Sequence, residues 1–427
     1  MRVASWLERA AAAHPERRAL ETPAGSLTYA ELAAAARVDL PAGRRVAIAL
    51  PPGLDFAVAL HACLGSGALA VPVDLRLTAP ERAAVCAGAA RVIDRPLEKA
   101  STAAPAGVGH DLQAPAVVIL TSGTTGPPRE VVLTYGNLLW SALGSATAIG
   151  LDPAERWLCT LPAAHVGGLS ILVRSAIYAT TAVVHPGFDA PTVLAALMDG
   201  AITVVSLVPT TLARLLDAGL RDPPCLRCAL IGGAPLAPAL AERALAAGVP
   251  VSQTYGLTEA CSQVTTQRPG DGRPDAGPPL FCTRVRIQAG EIQVAGPTLA
   301  TAAGEWLATG DLGELVDGRL RITGRRADTI LSGGENIAPT EIEAVLGEHP
   351  QVAEAAALGV PDREWGEAVW ALVVVRAETP SLDPDELRRH CRGRLAAFKV
   401  PKEFVFVASL PRTRSGKLVR GELAGLL

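Results

Sequence analysis

The chain has 427 residues, 49% hydrophobic, 19% charged and 4% aromatic, so it is long enough for two domains and too apolar for a disordered or fibrous protein. Its 39 basic and 42 acidic side chains leave a formal charge of -3 with no long run of either sign, which argues against nucleic acid or an anionic membrane as partner. Eight scattered cysteines and the lack of a basic-then-apolar N-terminal pattern argue against secretion and a disulfide framework, and a reducing cytoplasm is the expected compartment.

Along the chain, Thr28 with Glu31 and Thr78 with Glu81 have the spacing of capping boxes that start helices. Residues 56–73 are strongly apolar, but His61, Gly65, Ser66 and Gly67 interrupt them where a spanning helix needs about 20 apolar residues. A buried helix followed by a strand is predicted there. Residues 45–50, 116–120, 202–208 and 228–231 are strand-like and alternate with helical stretches, the pattern of parallel sheets covered by helices. Cys225 and Cys228 have zinc-like spacing, yet no second pair completes four ligands, and they read as loop thiols.

Between residues 285 and 322, glycines punctuate short strands, which predicts an antiparallel or barrel-like piece closing the large domain. After Gly324-Arg325-Arg326 a new unit begins, with a helix over 340–347 started by Thr340 and Glu343, a strand over 368–375 and a helix from 383. A small α+β domain accounts for about one hundred residues of this kind.

The first stretch with chemistry follows an apolar strand: Thr121-Ser122-Gly123-Thr124-Thr125-Gly126-Pro127-Pro128-Arg129. Glycines let the backbone approach oxygen anions, hydroxyls and amides donate to them, and Arg129 supplies charge, so the composition suits phosphate. The Walker A pattern is absent. Lysine is rare, with only Lys99, Lys399, Lys402 and Lys417, so each one carries more information than usual.

This loop resembles the phosphate loop of the acyl-adenylate-forming superfamily, and further segments recur in that family's order over nearly the whole chain. Gly232-Gly233-Ala234 is similar to the adenine-side loop, and Tyr255-Gly256-Leu257-Thr258-Glu259 to the central motif. The resemblance implies that Tyr255 stacks on adenine, Thr258 contacts phosphate and Glu259 holds Mg²⁺. Asp311, after Thr309-Gly310, matches the aspartate that accepts the ribose hydroxyls, and Arg325 the arginine that assists at ribose or phosphate. Lys417, in Ser415-Gly416-Lys417, matches the lysine that enters the site during adenylation.

The implied fold is α/β, with a large N-terminal adenylation domain over 1–325 built of helix-covered sheets and a small barrel-like piece. A small mobile C-terminal α+β lid over 328–427 follows, swinging on a hinge at about 326–328. The implied activity is that of an acid-thiol ligase: ATP and a carboxylic acid form an acyl-adenylate, and coenzyme A then displaces AMP. The partners implied are small molecules, and a homo-oligomer is left open.

Residues 161–174, with His165, Gly168 and Arg174, resemble the acyl pocket of the o-succinylbenzoate:CoA ligases of menaquinone biosynthesis, and residues 205–212, with Ser206, are also typical of that branch. The branch implies a pocket role for His165 and a substrate with a second carboxylate, for which Arg174 would supply the positive charge. Three features depart from the family pattern. Arg129-Glu130 replaces the common lysine-glycine, Ala163 and Ala164 are small, and Ala327 stands at the hinge position. The small alanines keep another aryl or short acyl acid in view, with a carrier protein in place of coenzyme A. An inactive nucleotide-binding relative is disfavoured because Tyr255, Glu259, Asp311, Arg325 and Lys417 are all retained.

Overall fold

Thr28 opens the helix Tyr29–Ala36 with a reciprocal pair of bonds, its Oγ accepting from Glu31 N and its own N–H donating to Glu31 Oε2 at 2.8 Å. Thr78 N likewise donates to Glu81 Oε2 at 2.7 Å at the start of Ala79–Cys86. The apolar run resolves into the helix Leu54–Ser66, ended by Gly67, and the strand Leu69–Pro72. Nine consecutive residues of that helix, Phe56 to Leu64, are buried, which is why it lacks a polar face. These details come from a computed structural model that describes residues 1–98, 109–121, 129–300, 304–332, 335–363, 365–376, 382–413 and 416–427.

Two sheets dominate the first part of the chain. A five-stranded sheet runs in the order Arg91–Ile93, Arg45–Ile48, Leu69–Pro72, Pro115–Thr121, Arg129–Thr134, parallel except for its last pair. An eight-stranded sheet has a parallel centre of Val251–Leu257, Cys228–Ile231, Val204–Leu207, Arg156–Cys159, Thr181–Val184 and Arg18–Thr22, with antiparallel strands at both edges. The strands Cys228–Ile231, Val204–Leu207 and Thr181–Val184 are buried throughout, as parallel strands covered on both faces must be. The helices Leu54–Ser66, Tyr135–Ile149 and Val166–Tyr178 all contribute buried residues to the same core.

The glycine-punctuated region forms a four-stranded sheet, Arg284–Gln288, Glu291–Ala295, Leu307–Val316, Arg319–Arg325, the last two an antiparallel hairpin. A five-stranded sheet follows, with Gly366–Val375 at its centre and a long antiparallel partner in Val352–Asp362. The helices Pro339–Gly347 and Pro384–Arg392 share a core with it.

One expected helix start is corrected. The helix begins at Pro339 behind Ala338, so Thr340 lies inside its first turn and forms no capping box with Glu343. Proline at the first helical position sets the start one residue early. Thr340 Oγ donates instead to the Thr323 carbonyl at 2.8 Å, and Glu343 accepts from Ala357 N and Arg420 Nη2.

By its internal contacts the chain divides into two compact units. One comprises Met1–Gly233, Arg243–Val285 and Val294–Leu307, the other Ala234–Glu242, Arg286–Gln293 and Ala308–Leu427. Among the described residues no helix is long and apolar enough to cross a membrane.

Candidate active site

Thr121 ends its strand directly opposite Arg129, and its Oγ donates to the Arg129 carbonyl at 3.3 Å, so the two ends of the hydroxyl-rich loop are tied together. Ser122, Gly123, Thr124, Thr125 and Gly126 lie outside the described residues. Glu130, the unusual neighbour of Arg129, is engaged by the Arg45 guanidinium through both carboxylate oxygens. That pairing holds the Glu130 carboxyl below its ordinary range.

Gly232 and Gly233 follow the buried strand Cys228–Ile231, with Gly233 and Ala234 exposed. In the next strand, Val251–Leu257, Tyr255 is buried and 7% exposed, and the register slips between Tyr255 and Gly256. A side chain on Gly256 would place Cβ 1.8 Å from the Ser262 carbonyl oxygen, so only glycine lets the antiparallel partner approach this closely. The strand then turns into a single 3₁₀ turn, Thr258–Ala260, closed by Cys261 in the left-handed region at φ 54°. Thr258 and Glu259 are half-buried on that turn. Glu259 offers oxygen alone, and none of the described residues donates a hydrogen bond to its carboxylate. Among the described residues no three metal-ligating side chains cluster.

His165 occupies the N-cap position of the helix Val166–Tyr178, with its side chain 44% exposed. Arg76 Nη2 lies 3.1 Å from His165 Nε2 and 2.7 Å from Asp74 Oδ2. An arginine can only donate, so His165 accepts at Nε2. Gly168 packs so tightly that a Cβ would fall 2.5 Å from the Pro162 carbonyl oxygen.

Arg174 lies two turns deeper and is 2% exposed. Its Nη2 donates to Ser141 Oγ at 3.0 Å, its guanidinium lies 5.7 Å from the centre of the Trp157 ring, and its buried Nε has no acceptor among the described residues. Burial pushes the Arg174 pKa down, because no carboxylate among the described residues compensates its charge. Ser206, also buried, accepts the Trp157 indole N–H at 2.9 Å, so one aromatic ring bridges the two residues.

The second unit holds its own group. Asp311 is buried in the strand Leu307–Val316 and receives Arg325 Nε on Oδ1 at 2.8 Å. Thr413 N donates to the Lys417 carbonyl at 2.7 Å. Burial lowers the Lys417 pKa, the Arg325 cation lowers it further, and Asp311 opposes both.

Sequence reasoning missed Asp74, Arg76, Ser141 and Trp157. For Arg76 a signal existed, an acid and a base two apart directly after an apolar strand. The other two are an ordinary serine and tryptophan in helix and strand.

The class of protein follows from matches that run along nearly the whole chain. The chain belongs to the AMP-binding enzyme family, within the acyl-adenylate-forming superfamily: the family's main model matches residues 7–93 and 87–304, and that of the AMP-binding enzyme C-terminal domain matches 341–417. It is 37% identical to the 2-succinylbenzoate–CoA ligase of Bacillus licheniformis, over 98% of this chain and 99% of the relative, and 35% identical to that of Bacillus subtilis, over 98% and 97%. Among solved structures it is similar to o-succinylbenzoate CoA synthetase (MenE) from Bacillus subtilis in complex with the acyl-adenylate intermediate OSB-AMP. The TM-score is 0.90 at 34% identity, covering 99% and 98% of the two chains. The same synthetase in complex with ATP and magnesium ion gives 0.89 at 34%, covering 99% and 100%. ATP-bound MatB from Rhodopseudomonas palustris gives 0.89 at 28%, covering 99% and 98%.

Proposed function

We propose that this chain is an AMP-forming acid:CoA ligase that converts o-succinylbenzoate to o-succinylbenzoyl-CoA in menaquinone biosynthesis. The observation that carries the choice of acid is Arg174, a buried cation without a carboxylate partner among the described residues. A dicarboxylic acid brings the missing anion with it, one carboxylate being activated while the other meets the guanidinium. The full-length similarity to ligases of this acid supports the same reading.

In the first half-reaction the acid's carboxylate oxygen attacks the α-phosphorus of ATP and pyrophosphate leaves. In the second the coenzyme A thiol attacks the acyl carbon, loses its proton, and AMP departs. The protein's contribution is positioning and charge stabilisation. Thr121, Ser122, Gly123, Thr124, Thr125, Gly126 and Arg129 cradle phosphate. Gly232, Gly233, Ala234, Tyr255 and Gly256 hold adenine, Asp311 and Arg325 the ribose, and Thr258 donates to phosphate. Lys417 stabilises the charge that develops in adenylation. His165, Gly168, Arg174 and Ser206 form the acyl pocket.

A half-buried carboxylate that accepts no hydrogen bond from the described residues fits Mg²⁺, which takes one or two carboxylates and fills its shell with phosphate and water. Glu259 would hold it, and bound Mg²⁺ neutralises triphosphate charge. We assign the adenylation domain to 1–325 and the lid to 328–427, turning at about 326–328, where Arg326–Asp328 form a short 3₁₀ turn. All eight cysteines are free, which supports a reducing, cytoplasmic location.

The test is a panel of aryl and short acyl acids assayed for AMP release with and without coenzyme A. O-succinylbenzoate with coenzyme A is expected to give the highest kcat/KM. A monocarboxylate turning over faster, or a reaction indifferent to coenzyme A, overturns the assignment of acid or acceptor respectively.

A further inference from the structure

Asn137 and Ser141 stand four residues apart on the helix Tyr135–Ile149, hence on one face of it, and both are buried. Asn137 Nδ2 donates to the carbonyls of Pro297 and Leu299, each at 2.8 Å. Ser141 Oγ donates to the carbonyl of Cys261 at 2.6 Å. The two segments they hold converge on the carboxylate-bearing turn. Ala300 N donates to the Glu259 carbonyl at 2.8 Å, and Cys261 N to that of Thr258 at 2.9 Å.

The turn is not one the backbone adopts unaided. Cys261 and Ser262 stand at φ 54° and 96°, in the region that side chains with a Cβ disfavour. Such backbone persists only where its surroundings over-determine it. Ser141 supplies one restraint directly after Glu259–Ala260, and Asn137 another through the 297–300 segment. The Ser141 hydroxyl is itself oriented, because Arg174 Nη2 occupies its acceptor side and leaves its proton for Cys261.

We propose that Asn137 and Ser141 are positioning residues for Glu259. They clamp the turn Thr258–Ala260 from the inside, so that the carboxylate is presented to its divalent cation in one orientation. The inference deepens the proposed function and rests on Glu259 as the magnesium ligand.

The experiment measures pyrophosphate release at increasing Mg²⁺ for wild type, Ser141→Ala, Ser141→Thr and Glu259→Gln, with thioester formation from supplied acyl-adenylate measured in parallel. Ser141→Ala is expected to raise the Mg²⁺ needed for half-maximal adenylation about three- to tenfold, the effect of one lost buried hydrogen bond. Saturating Mg²⁺ recovers most of its rate, and its thioester step stays within about twofold of wild type. Ser141→Thr, which keeps the hydroxyl, returns the Mg²⁺ dependence toward wild type. If Ser141→Ala does not fold, Ser141→Cys, a weaker donor, is read in its place. Should Ser141→Ala raise only the KM for the acid at unchanged Mg²⁺ dependence, Ser141 serves Arg174 alone and the clamp is overturned. The clamp is equally overturned if both half-reactions fall together. Should Glu259→Gln itself leave the Mg²⁺ dependence unchanged, the metal assignment has failed, which is a separate result.

Discussion

Asp311 and Arg325 are cross-strand partners in one hairpin, and the arginine's Nε donates to the aspartate's Oδ1 at 2.8 Å. Arg325 is 58% exposed, so the pair adds little to stability. Its consequence is orientation of a buried carboxylate. Asp311→Ala should erase the preference for ATP over 2′,3′-dideoxy-ATP by about 10- to 100-fold, the range of charge-assisted hydrogen bonds, with little change in Tm. Steady-state kinetics with the two nucleotides decide it, and a preserved preference removes Asp311 from the ribose.

Lys417 is influenced by the same two residues in opposite senses. The charge stabilisation assigned to it needs the ammonium form, and burial lowers its pKa, so adenylation kcat/KM should fall at alkaline pH with a midpoint below the ordinary lysine range. Arg325→Ala removes a repelling cation and should move that midpoint up, whereas Asp311→Asn removes an attracting anion and should move it down. Shifts in one common direction contradict the geometry. Lys417→Ala should abolish adenylation and spare thioester formation from supplied acyl-adenylate.

Arg174→Ala tests the dicarboxylate argument by a ratio. Leaving one member of a buried charge pair unpaired costs about 2 to 5 kcal/mol. The fall in kcat/KM for o-succinylbenzoate should then be about 30-fold to several thousand-fold, and much smaller for a monocarboxylate analogue. Equal losses on both acids would mean that Arg174 supports only the fold.

Gly256→Ala should destabilise the protein by about 1–3 kcal/mol or more, since the new methyl meets a backbone oxygen that cannot rotate away. A urea titration reads the cost. A wild-type midpoint would show that the strand pair tolerates separation.

His61 and His110 are both pushed down to about 4 by burial, and His110 Nε2 accepts the backbone N–H of Trp6 at 3.2 Å, a bond open only to the neutral ring. Their folded pKa values lie below the unfolded 6.5, so the stability they contribute is fully present above pH 6.5 and is lost as pH falls toward 4. Roughly 3 kcal/mol per histidine is at stake. Urea midpoints between pH 7 and 5 should decline in wild type and decline less in His110→Gln. Parallel slopes would exclude His110 as a source.

What the sequence determined by itself is what depends on neighbours along the chain. The capping boxes at Thr28 and Thr78, the buried helix before Leu69 and the family-ordered nucleotide motifs all rest on residues a few positions apart, where spacing alone carries the physics. The same locality explains the failure at Thr340, since the spacing to Glu343 is right but Pro339 starts the helix first. Only the tertiary structure decided the surroundings of the charged and strained groups. Arg174 meets Ser141 across 33 residues, and Ser141 meets Cys261 across 120. Arg76 meets His165 across 89, and Arg45 meets Glu130 across 85. No periodicity or motif encodes such partners, because helix packing and sheet order bring them together, and a buried charge takes its meaning from whatever the fold sets beside it.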